Sequence, residues 1–424
     1  MSGTREFGGK SFPDAAASDP AALRWMQGSP PPPGQRIRFD DDSFWRFPQL
    51  RWTLSHLREL LPTTNVARGD AMPGALGVAA AADMDAIDAL TFTDLNGQRR
   101  TWAGSLPEVY ADGLLILHRG RCVYEKYWGA LTPLRQHACF SITKSYAATL
   151  AAMLVHDGVL ADTRLIAYYL PEMADTAYAD ASLRELLDMQ IGVDYSEDYA
   201  DPAAGVWDYS RAGGWRPRAA DYRGPDHFYE YLVRLRKQGP HGAAFSYKTV
   251  NTEVLCWVMK RVTGIPLAEL LSQRIWTRIG CEQDAYFFTD PIGVECGGGG
   301  LAATLRDLAR FGELMRREGD WDGRQVIPSA VVHDIRRGAD PARFTPAGYT
   351  LLPGYSYRSM WWVTHNELGA FEARGIHGQR LYIAPAAELV VARFASHPIA
   401  SSAANDPITQ PALLELGRML RLRR

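Results

Sequence analysis

The sequence predicts an α/β (α+β) fold in which an antiparallel sheet is assembled from both ends of the chain, with a mainly helical domain inserted between its halves. Segments rich in β-branched and aromatic residues cluster near residues 113–129 and 356–395. The middle of the chain, about 141–335, instead shows helical periodicity and long loops. At 424 residues, the chain also exceeds the usual size of a single hydrophobic core.

These patterns divide the chain into three parts. Residues 1–45 contain the stiff stretch SPPPPG and are expected to form a weakly structured, extended N-terminal arm. Residues 46–140 and 336–424 are predicted to form the discontinuous sheet domain. Residues 141–335 are predicted to form the helical domain, and the long aromatic-rich loop 190–225 within it is expected to be a lid.

Turn residues and apolar periodicity predict the individual elements. A hairpin is expected over 113–129 around Arg119-Gly120, and a second over 381–395 around Pro385-Ala386. Residues 356–365 are expected to add one further strand. Helices are predicted at 52–62, 141–157, 182–189, 226–237, 250–263, 266–278, 303–318 and 328–336.

Composition excludes several functional classes. The net charge is −2 and no basic run could follow a phosphate backbone, so nucleic acid is not expected as a partner. The most apolar window, 145–160, is too short to span a membrane. The five cysteines are odd in number and lack a C-x-x-C pair, which argues against a disulfide framework and a thiolate metal site. With no secretory signal pattern, a cytoplasmic location is expected.

The first candidate catalytic motif is Ser141-Ile-Thr-Lys144, at the start of an apolar helix. Residues three apart share a helix face, so a buried Lys144 would lie beside Ser141. A serine hydroxyl becomes a good nucleophile when a base removes its proton, and a lysine with a lowered pKa is such a base. An isolated S-x-x-K is more often an N-cap serine with an exposed lysine, and this alternative stays open at the level of the motif.

Two further motifs carry polar or flexible residues that suit an active site. Tyr247 precedes a helix and Asn251 follows one turn later; a tyrosine near a lysine can relay a proton, although in an isolated motif such a tyrosine more often packs the helix start. Gly375 and Gly378 flank His377 near a strand edge, where the backbone can approach a ligand and an N–H can face an oxyanion. By itself, a histidine such as His377 is more often structural than in contact with substrate.

Taken together and in this order, the motifs resemble the serine β-lactamase and penicillin-recognising superfamily. Class C-like esterases and 6-aminohexanoate-dimer hydrolases are its most similar branches. The resemblance covers about residue 45 to the end of the chain. It is carried by FSITKS (140–145), SLRELLDMQIGVDYSEDYADP (182–202), RAGGWR (211–216), FSYKTVNTEVLCWVMKRVTG (245–264), GGLAATLRDLARFGELM (299–315), SMWW (359–362) and GIHGQRLYI (375–383).

The resemblance implies a β-lactamase-like fold and assigns roles to residues at matching positions. Ser141 matches the family nucleophile, Lys144 its base and Tyr247 the tyrosine of the second motif. The backbone N–H groups of Ser141 and Ile376 match the oxyanion hole.

The substrate-binding positions show both matches and departures. Tyr199 and Trp215 match aromatic residues that close over substrate in the nylon-oligomer enzymes. Ser210 stands where those enzymes place an acidic residue for a substrate ammonium, so strong activity on amino-terminated oligomers is not expected. The K-T-G of true β-lactamases is also missing, which argues against efficient penicillin hydrolysis.

The resulting expectation is a serine hydrolase that cleaves a small ester or amide through an acyl-enzyme, without a metal or organic cofactor. The resemblance also suggests a homodimer. Alternatives are a D-aminopeptidase, a penicillin-binding-type protein, or a non-catalytic binder on the same fold. A Ser-His-Asp hydrolase is disfavoured because no G-x-S-x-G occurs, and a metallohydrolase because neither H-x-H nor H-E-x-x-H occurs.

Overall fold

The computed structural model describes residues 3–422. Its strands belong to a large antiparallel sheet, a smaller four-stranded sheet and three two-stranded ribbons. In chain order the strands are β1 Thr4–Phe7, β2 Lys10–Pro13, β3 Thr63–Val66, β4 Thr91–Thr93, β5 Arg99–Thr101, β6 Ala111–His118, β7 Arg121–Tyr127, β8 His137–Ala138, β9 Ala285–Phe288, β10 Leu301–Ala303, β11 Asp320–Trp321, β12 Arg324–Gln325, β13 Ser356–Arg358, β14 Trp361–Val363, β15 Phe371–Gly375, β16 Gln379–Ala384 and β17 Leu389–Ala395.

Within residues 3–422, most of the helices lie between β7 and β13, that is, between the two groups of strands of the large sheet, with three before β6 and one after β17. They are α1 Leu50–Thr53, α2 Ala81–Asp88, α3 Trp102–Ser105, α4 Ile142–His156, α5 Ile166–Tyr169, α6 Leu183–Leu187, α7 Gly205–Ala212, α8 Phe228–Leu232, α9 Val250–Thr263, α10 Leu267–Arg274, α11 Leu305–Arg316, α12 Ser329–Arg337, α13 Pro341–Phe344 and α14 Asp406–Leu422.

The large sheet has seven strands in the order β13-β14-β15-β16-β17-β6-β7, and every neighbouring pair is antiparallel. Its centre joins β17, from near the end of the chain, to β6, from its first third. This confirms the predicted α/β fold with a sheet assembled from both chain ends. The turn between β6 and β7 is at Arg119 and Gly120, which have φ of 53° and 76°, typical of a tight hairpin.

Both faces of this sheet are buried, which explains its continuous apolar strands. Leu115 and Leu117 of β6 belong to the core cluster shared with the central helices. Leu114 and Ile116, on the opposite face, pack with residues of α3 and α14. Side chains alternate between faces along a strand, so a strand covered on both sides has few positions for polar residues.

Helix α4 is the central helix beneath the cleft described below. It is buried along almost its whole length and packs against α9, α10 and α12. The Ser145 hydroxyl donates to the carbonyl of Met360 at 2.7 Å, and the Leu301 N–H donates to Thr143 Oγ1 at 3.2 Å. These contacts fix the first turn of α4 between the sheet domain and the loop before β10.

Several elements differ from the sequence-based expectations. Residues 356–365 form two short strands rather than one, because Ser359 and Met360 adopt positive φ values of 47° and 57° and reverse the chain. The helix predicted at 52–62 is shortened to α1 and a separate 3-10 turn at Leu57–Glu59. Helix α14 was not predicted from the sequence; it contains Pro411, a residue usually associated with helix interruption.

The expectation of a weakly structured arm over residues 1–45 is wrong for most of that segment. Strands β1 and β2 form a hairpin, and the Phe7 ring packs 4.6 Å from His397. Ile37 and Phe44 are buried in a small cluster with Trp52. The proposed division into domains remains a prediction. Across residues 3–422, no helix is both long and apolar enough to cross a membrane.

Candidate active site

The loop before α4 holds Ser141 at the base of a deep cleft. Phe140 adopts φ of 45°, a conformation that non-glycine residues rarely take and that often marks functional sites. Its ring is held by edge contact with Trp45 at 5.6 Å. Ser141 is the N-cap residue of α4 and lines the cleft, with its backbone N–H at the positive end of the helix dipole.

Lys144 is buried, with only 1% of its surface exposed, and points toward Ser141 rather than into solvent. Its Nζ lies 2.8 Å from Ser141 Oγ and also donates to the carbonyl of Gly298. Burial lowers the pKa of Lys144 because a charged ammonium loses hydration there, and the carboxylate of Glu197 partly opposes this effect. A lysine in this environment is suited to accept a proton from Ser141.

Tyr247 lies just before α9 and lines the same cleft as Ser141. Lys144 Nζ is 5.2 Å from the centre of its ring, which stacks on Trp362 at 5.7 Å. Burial raises the pKa of the Tyr247 phenol well above its usual value, while a side-chain hydrogen bond with Ser141 lowers it. The phenol is therefore protonated near neutral pH and faces the same hydroxyl as Lys144.

The end of β15 approaches the Ser141 loop very closely. A Cβ added to Gly375 would lie 2.6 Å from the carbonyl oxygen of Cys139, so a side chain at this position would force the two segments apart. This approach brings Ile376 to the wall of the cleft that contains Ser141. The next residue, His377, has φ of 61° and ends the strand in a single 3-10 turn.

The cleft has a volume of about 1020 Å³ and is lined by more apolar than polar surface. Three hydrogen bonds fix the carboxylate of Glu197 in the wall of the cleft. They come from the Thr249 N–H at 2.7 Å, the Thr249 hydroxyl at 2.6 Å and the Tyr199 hydroxyl at 3.1 Å. A cationic group of a ligand would therefore meet a fixed negative charge near Lys144.

An arginine sits between two tryptophans at the entrance to the cleft. The Arg216 guanidinium lies 5.1 Å from the Trp45 ring and 4.7 Å from the Trp207 ring, and its Nη1 donates to Asp42 at 2.5 Å. Asp42 and Trp45 belong to the N-terminal segment, whereas Trp207 and Arg216 belong to the predicted lid. The N-terminal segment thus forms part of the cleft.

Two of the five predicted substrate-binding residues line the cleft. Tyr199 contributes its ring and its hydroxyl bond to Glu197. His377 is buried; its Nδ1 bonds to the carbonyl of His397 at 2.7 Å, and burial lowers its pKa to about 4, so it is neutral at physiological pH.

The other three do not line the cleft. Ser210 is fully buried and its hydroxyl donates to the Val206 carbonyl at 2.5 Å within α7. Asn251 is also fully buried and accepts from Tyr178 at 2.9 Å. Trp215 lies one layer behind the wall, with its ring 5.6 Å from that of Trp45. Each faces inward because its helix or loop packs that side against the core.

Sequence reasoning missed four prominent cleft residues: Glu197, Trp45, Arg216 and Arg374. Glu197 and Arg216 lie within the sequence blocks that carry the family resemblance. Charged side chains in a predicted lid are the signal that could have pointed to them. Trp45 stands at the edge of the presumed arm, where it was not expected to reach the site. Arg374, the residue before Gly375, lies in a strand, and a charged residue in a strand does not by itself indicate a position in the cleft.

Comparisons with known proteins identify the family. A family model described as Beta-lactamase matches residues 98–410. The chain belongs to the beta-lactamase family. A 6-aminohexanoate-dimer hydrolase from Paenarthrobacter ureafaciens is 33% identical over 410 residues, covering 96% of this chain and 96% of that protein.

Solved structures in the family support the same fold. A Bacillus anthracis protein provisionally assigned as a 6-aminohexanoate-dimer hydrolase has a TM-score of 0.79 and 30% identity, covering 90% of this chain and 97% of that one. EstCE1, a hydrolase with promiscuous acyltransferase activity, has a TM-score of 0.57 and 15% identity, covering 75% and 98% of the two chains. At that identity, the likeness to EstCE1 shows the fold alone. The protein is therefore a beta-lactamase-family member related to hydrolases.

Proposed function

We propose that the protein is a serine hydrolase that cleaves an ester or amide bond of a small substrate through an acyl-enzyme. The observation that carries this proposal is the contact of 2.8 Å between Ser141 Oγ and the buried Nζ of Lys144. The relatedness to 6-aminohexanoate-dimer hydrolases supports the same reaction class.

In the acylation step, neutral Lys144 takes the proton of Ser141 Oγ as that oxygen attacks the substrate carbonyl carbon. Negative charge then develops on the carbonyl oxygen, and the backbone N–H groups of Ser141 and Ile376 are the proposed donors to it. Collapse of this intermediate breaks the bond to the leaving group, which receives a proton from Tyr247. Tyr247 regains its proton from Lys144, leaving the acyl group on Ser141.

Deacylation uses the same groups in the reverse direction. A water molecule attacks the acyl carbon as Tyr247 accepts a proton from the water and passes its own phenolic proton to neutral Lys144. The bond to Ser141 Oγ breaks, the serine oxygen recovers a proton from Lys144 and the carboxylic acid product leaves. Atoms and charge balance with water as the single co-reactant, so the cycle runs on these side chains.

The cleft favours a small substrate with an extended apolar part. Its lining is more apolar than polar and carries several aromatic rings beside charged side chains such as Glu197 and Arg374; predominantly apolar walls are usual for pockets that bury small molecules. Glu197 offers a site for a cationic group, as in an amino-terminated amide, although the predicted position Ser210 is buried elsewhere. Both ester and amide substrates therefore belong in the test.

A fluorophosphonate probe tests the nucleophile directly. We expect intact-mass and peptide analysis to find one adduct on the peptide that contains Ser141, and Ser141→Ala to remove it. Ser145→Ala is a matched control because the Ser145 hydroxyl is buried on the Met360 carbonyl, away from the cleft. A folded wild type that takes no label would contradict the proposal and favour a non-catalytic binder.

A substrate panel then identifies the reaction. Short p-nitrophenyl esters, 6-aminohexanoate oligomers, D-amino-acid amides and a chromogenic cephalosporin are compared on wild type and Ser141→Ala. We expect turnover of at least one ester or linear amide that disappears in Ser141→Ala. Turnover confined to the cephalosporin would overturn the proposed substrate class.

A further inference from the structure

A buried carboxylate that the proposed reaction does not use lies beneath Lys144. Glu253, on α9, is 3% exposed and accepts hydrogen bonds from four groups. The Gly298 N–H at 2.8 Å, the Tyr209 hydroxyl at 2.5 Å and the Cys296 thiol at 3.5 Å reach Oε1, and the Gly297 N–H at 3.0 Å reaches Oε2. All four partners can act as donors, an environment that suits a carboxylate.

The glycine segment Gly297–Gly298 that binds Glu253 also contacts Lys144, the proposed base. The carbonyl of Gly298 accepts a hydrogen bond from Lys144 Nζ, while the N–H of Gly298 donates to Glu253. One residue therefore links the buried carboxylate to the lysine amine. Because Lys144 has two oxygen partners, Gly298 O and Ser141 Oγ, the position of the Gly298 carbonyl determines where the amine lies relative to the serine.

The packing around this segment leaves no room for a side chain at either glycine. A Cβ added to Gly298 would lie 2.4 Å from Thr249 Cγ2 and 2.8 Å from Glu253 Oε1. A Cβ added to Gly297 would lie 2.2 Å from Cys256 Sγ. The glycines permit the close approach, and the bidentate bond to Glu253 fixes their orientation.

We propose that Glu253 is a positioning residue that holds the Gly298 carbonyl against Lys144 and thereby keeps the amine aimed at Ser141. The inference rests on the proposed function, since it assigns a partner to the base of that reaction. Glu253 itself lies behind the glycine segment and acts through it.

The charges around Lys144 indicate how this role can be detected. Glu197 from the lid, Glu253 and Cys256 from α9, and Cys296 from the loop before β10 all raise the pKa of Lys144, against the larger lowering effect of burial. Burial raises the pKa of Glu253, and its hydrogen bonds and Lys144 oppose that shift. Removing the charge of Glu253 removes one influence that favours the protonated amine.

Glu253→Gln tests the inference on the ester that the wild type turns over through Ser141. The amide NH₂ cannot accept from a backbone N–H, so the Gly297–Gly298 segment should shift. We expect kcat to fall by about 10- to 100-fold, as for small misplacements of reacting groups, with little change in KM. We also expect the acidic limb of the kcat–pH profile to move to lower pH, because Lys144 loses a neighbouring negative charge.

Glu295→Gln is the matched control. Glu295 is also a buried glutamate of the same region, 4% exposed, but it accepts from the Ala268 N–H at 3.2 Å and makes no bond to the Gly297–Gly298 segment. We expect its kcat–pH profile to match that of the wild type. An equal change in both variants would overturn the inference, as would a Glu253→Gln profile with unchanged kcat or an unmoved acidic limb.

Glu253→Asp carries the test if Glu253→Gln does not fold. Its carboxylate is one methylene shorter and cannot reach both N–H groups, so we expect a loss of kcat at nearly unchanged KM; a wild-type kcat would contradict the inference. Absence of Ser141 labelling in the wild type would overturn the proposed function together with this inference. Normal labelling with an unaffected Glu253→Gln would overturn the inference alone.

Discussion

The floor and the mouth of the cleft are built in different ways. The floor comprises Ser141, Lys144 and Tyr247, held at the starts of two helices and surrounded by buried core. The mouth comprises Tyr199 and Tyr349 on loops and Trp207 on α7, all of which line the cleft. The Lys144 side chain is 1% exposed, whereas Tyr349 is 38% exposed.

We expect the floor of the cleft to determine the chemistry and the mouth to determine substrate selectivity. Burial of the floor lowers the pKa of Lys144 and fixes distances that a proton transfer requires. The mouth is held by ring contacts such as Tyr199 against Trp207 at 5.8 Å, which allow adjustment to the substrate. Changes in the floor should therefore affect kcat, and changes in the mouth should affect KM and substrate preference.

The largest expected effect is that of Lys144→Ala. Without the amine, no group accepts the Ser141 proton, and we expect kcat on an ester to fall by roughly 10³- to 10⁴-fold. Lys126→Ala, which removes a lysine paired with Asp88 far from the cleft, is the control. Near-normal turnover in Lys144→Ala would show that the floor does not act as proposed.

Tyr247→Phe should give the next largest effect. It keeps the ring that stacks on Trp362 but removes the proton relay, so we expect kcat to fall by about 10²-fold with a small change in KM. Tyr357→Phe is the matched control, because this neighbouring ring lies 6.2 Å from Tyr247 and outside the cleft lining. If both variants lost activity equally, packing rather than proton transfer would explain the result.

Trp207→Ala probes the mouth. It removes a ring that lines the cleft and contacts Arg216 at 4.7 Å, interactions worth about 1 kcal/mol. We expect KM for an aryl ester to rise by about 3- to 10-fold while kcat changes little. Tyr168→Ala, at an exposed ring outside the cleft, should leave both constants unchanged. A loss in kcat alone would remove the distinction between floor and mouth.

The buried histidines should have the smallest effect on turnover. They should have a clear effect on the pH dependence of the free energy of unfolding. Burial lowers the pKa of His56, His377 and His397 to about 4, compared with an unfolded value of about 6.5. Between pH 6.5 and 4 the unfolded chain binds protons that the folded state excludes, so the free energy of unfolding should fall as pH decreases through this window.

Urea unfolding at pH 7.5, 6.0 and 5.0 measures this dependence. His397→Asn should reduce the slope, because the asparagine oxygen can still accept from the Ile399 N–H at 3.1 Å without titrating. His333→Asn, at an exposed side chain, should keep the wild-type slope. An unchanged slope in His397→Asn would show that burial does not lower the pKa of His397 in solution.

The long, buried helices were well predicted from the sequence, whereas many short elements and the connections were not. Apolar periodicity located α4 and α9 to within one residue at each end, because both helices are buried and lack internal breakers. Periodicity could not separate β13 from β14, since the reversal at Ser359 and Met360 uses residues without a turn signature. Helix α14 was missed because its Pro411 is normally associated with a break.

Sequence-based prediction of the candidate site was limited in the same way, because it located local neighbours and not long-range contacts. Ser141 and Lys144 are three residues apart on one helix, so their proximity follows from helical geometry. Ser210 and Asn251 were predicted near the substrate, yet their positions on α7 and α9 turn them into the core. Which face of a helix is buried depends on what packs against it, and residues distant in sequence supply that contact.

The sequence by itself determined the order of elements, the family and the local pairing of Ser141 with Lys144. The tertiary structure alone decided that Lys144 is buried, that Gly298 and Glu253 meet it from later segments, and that Trp45 of the N-terminal segment helps to enclose the cleft. The physical reason is that helical periodicity depends on neighbours a few residues apart. Burial and charge environment depend on side chains brought together from across the chain.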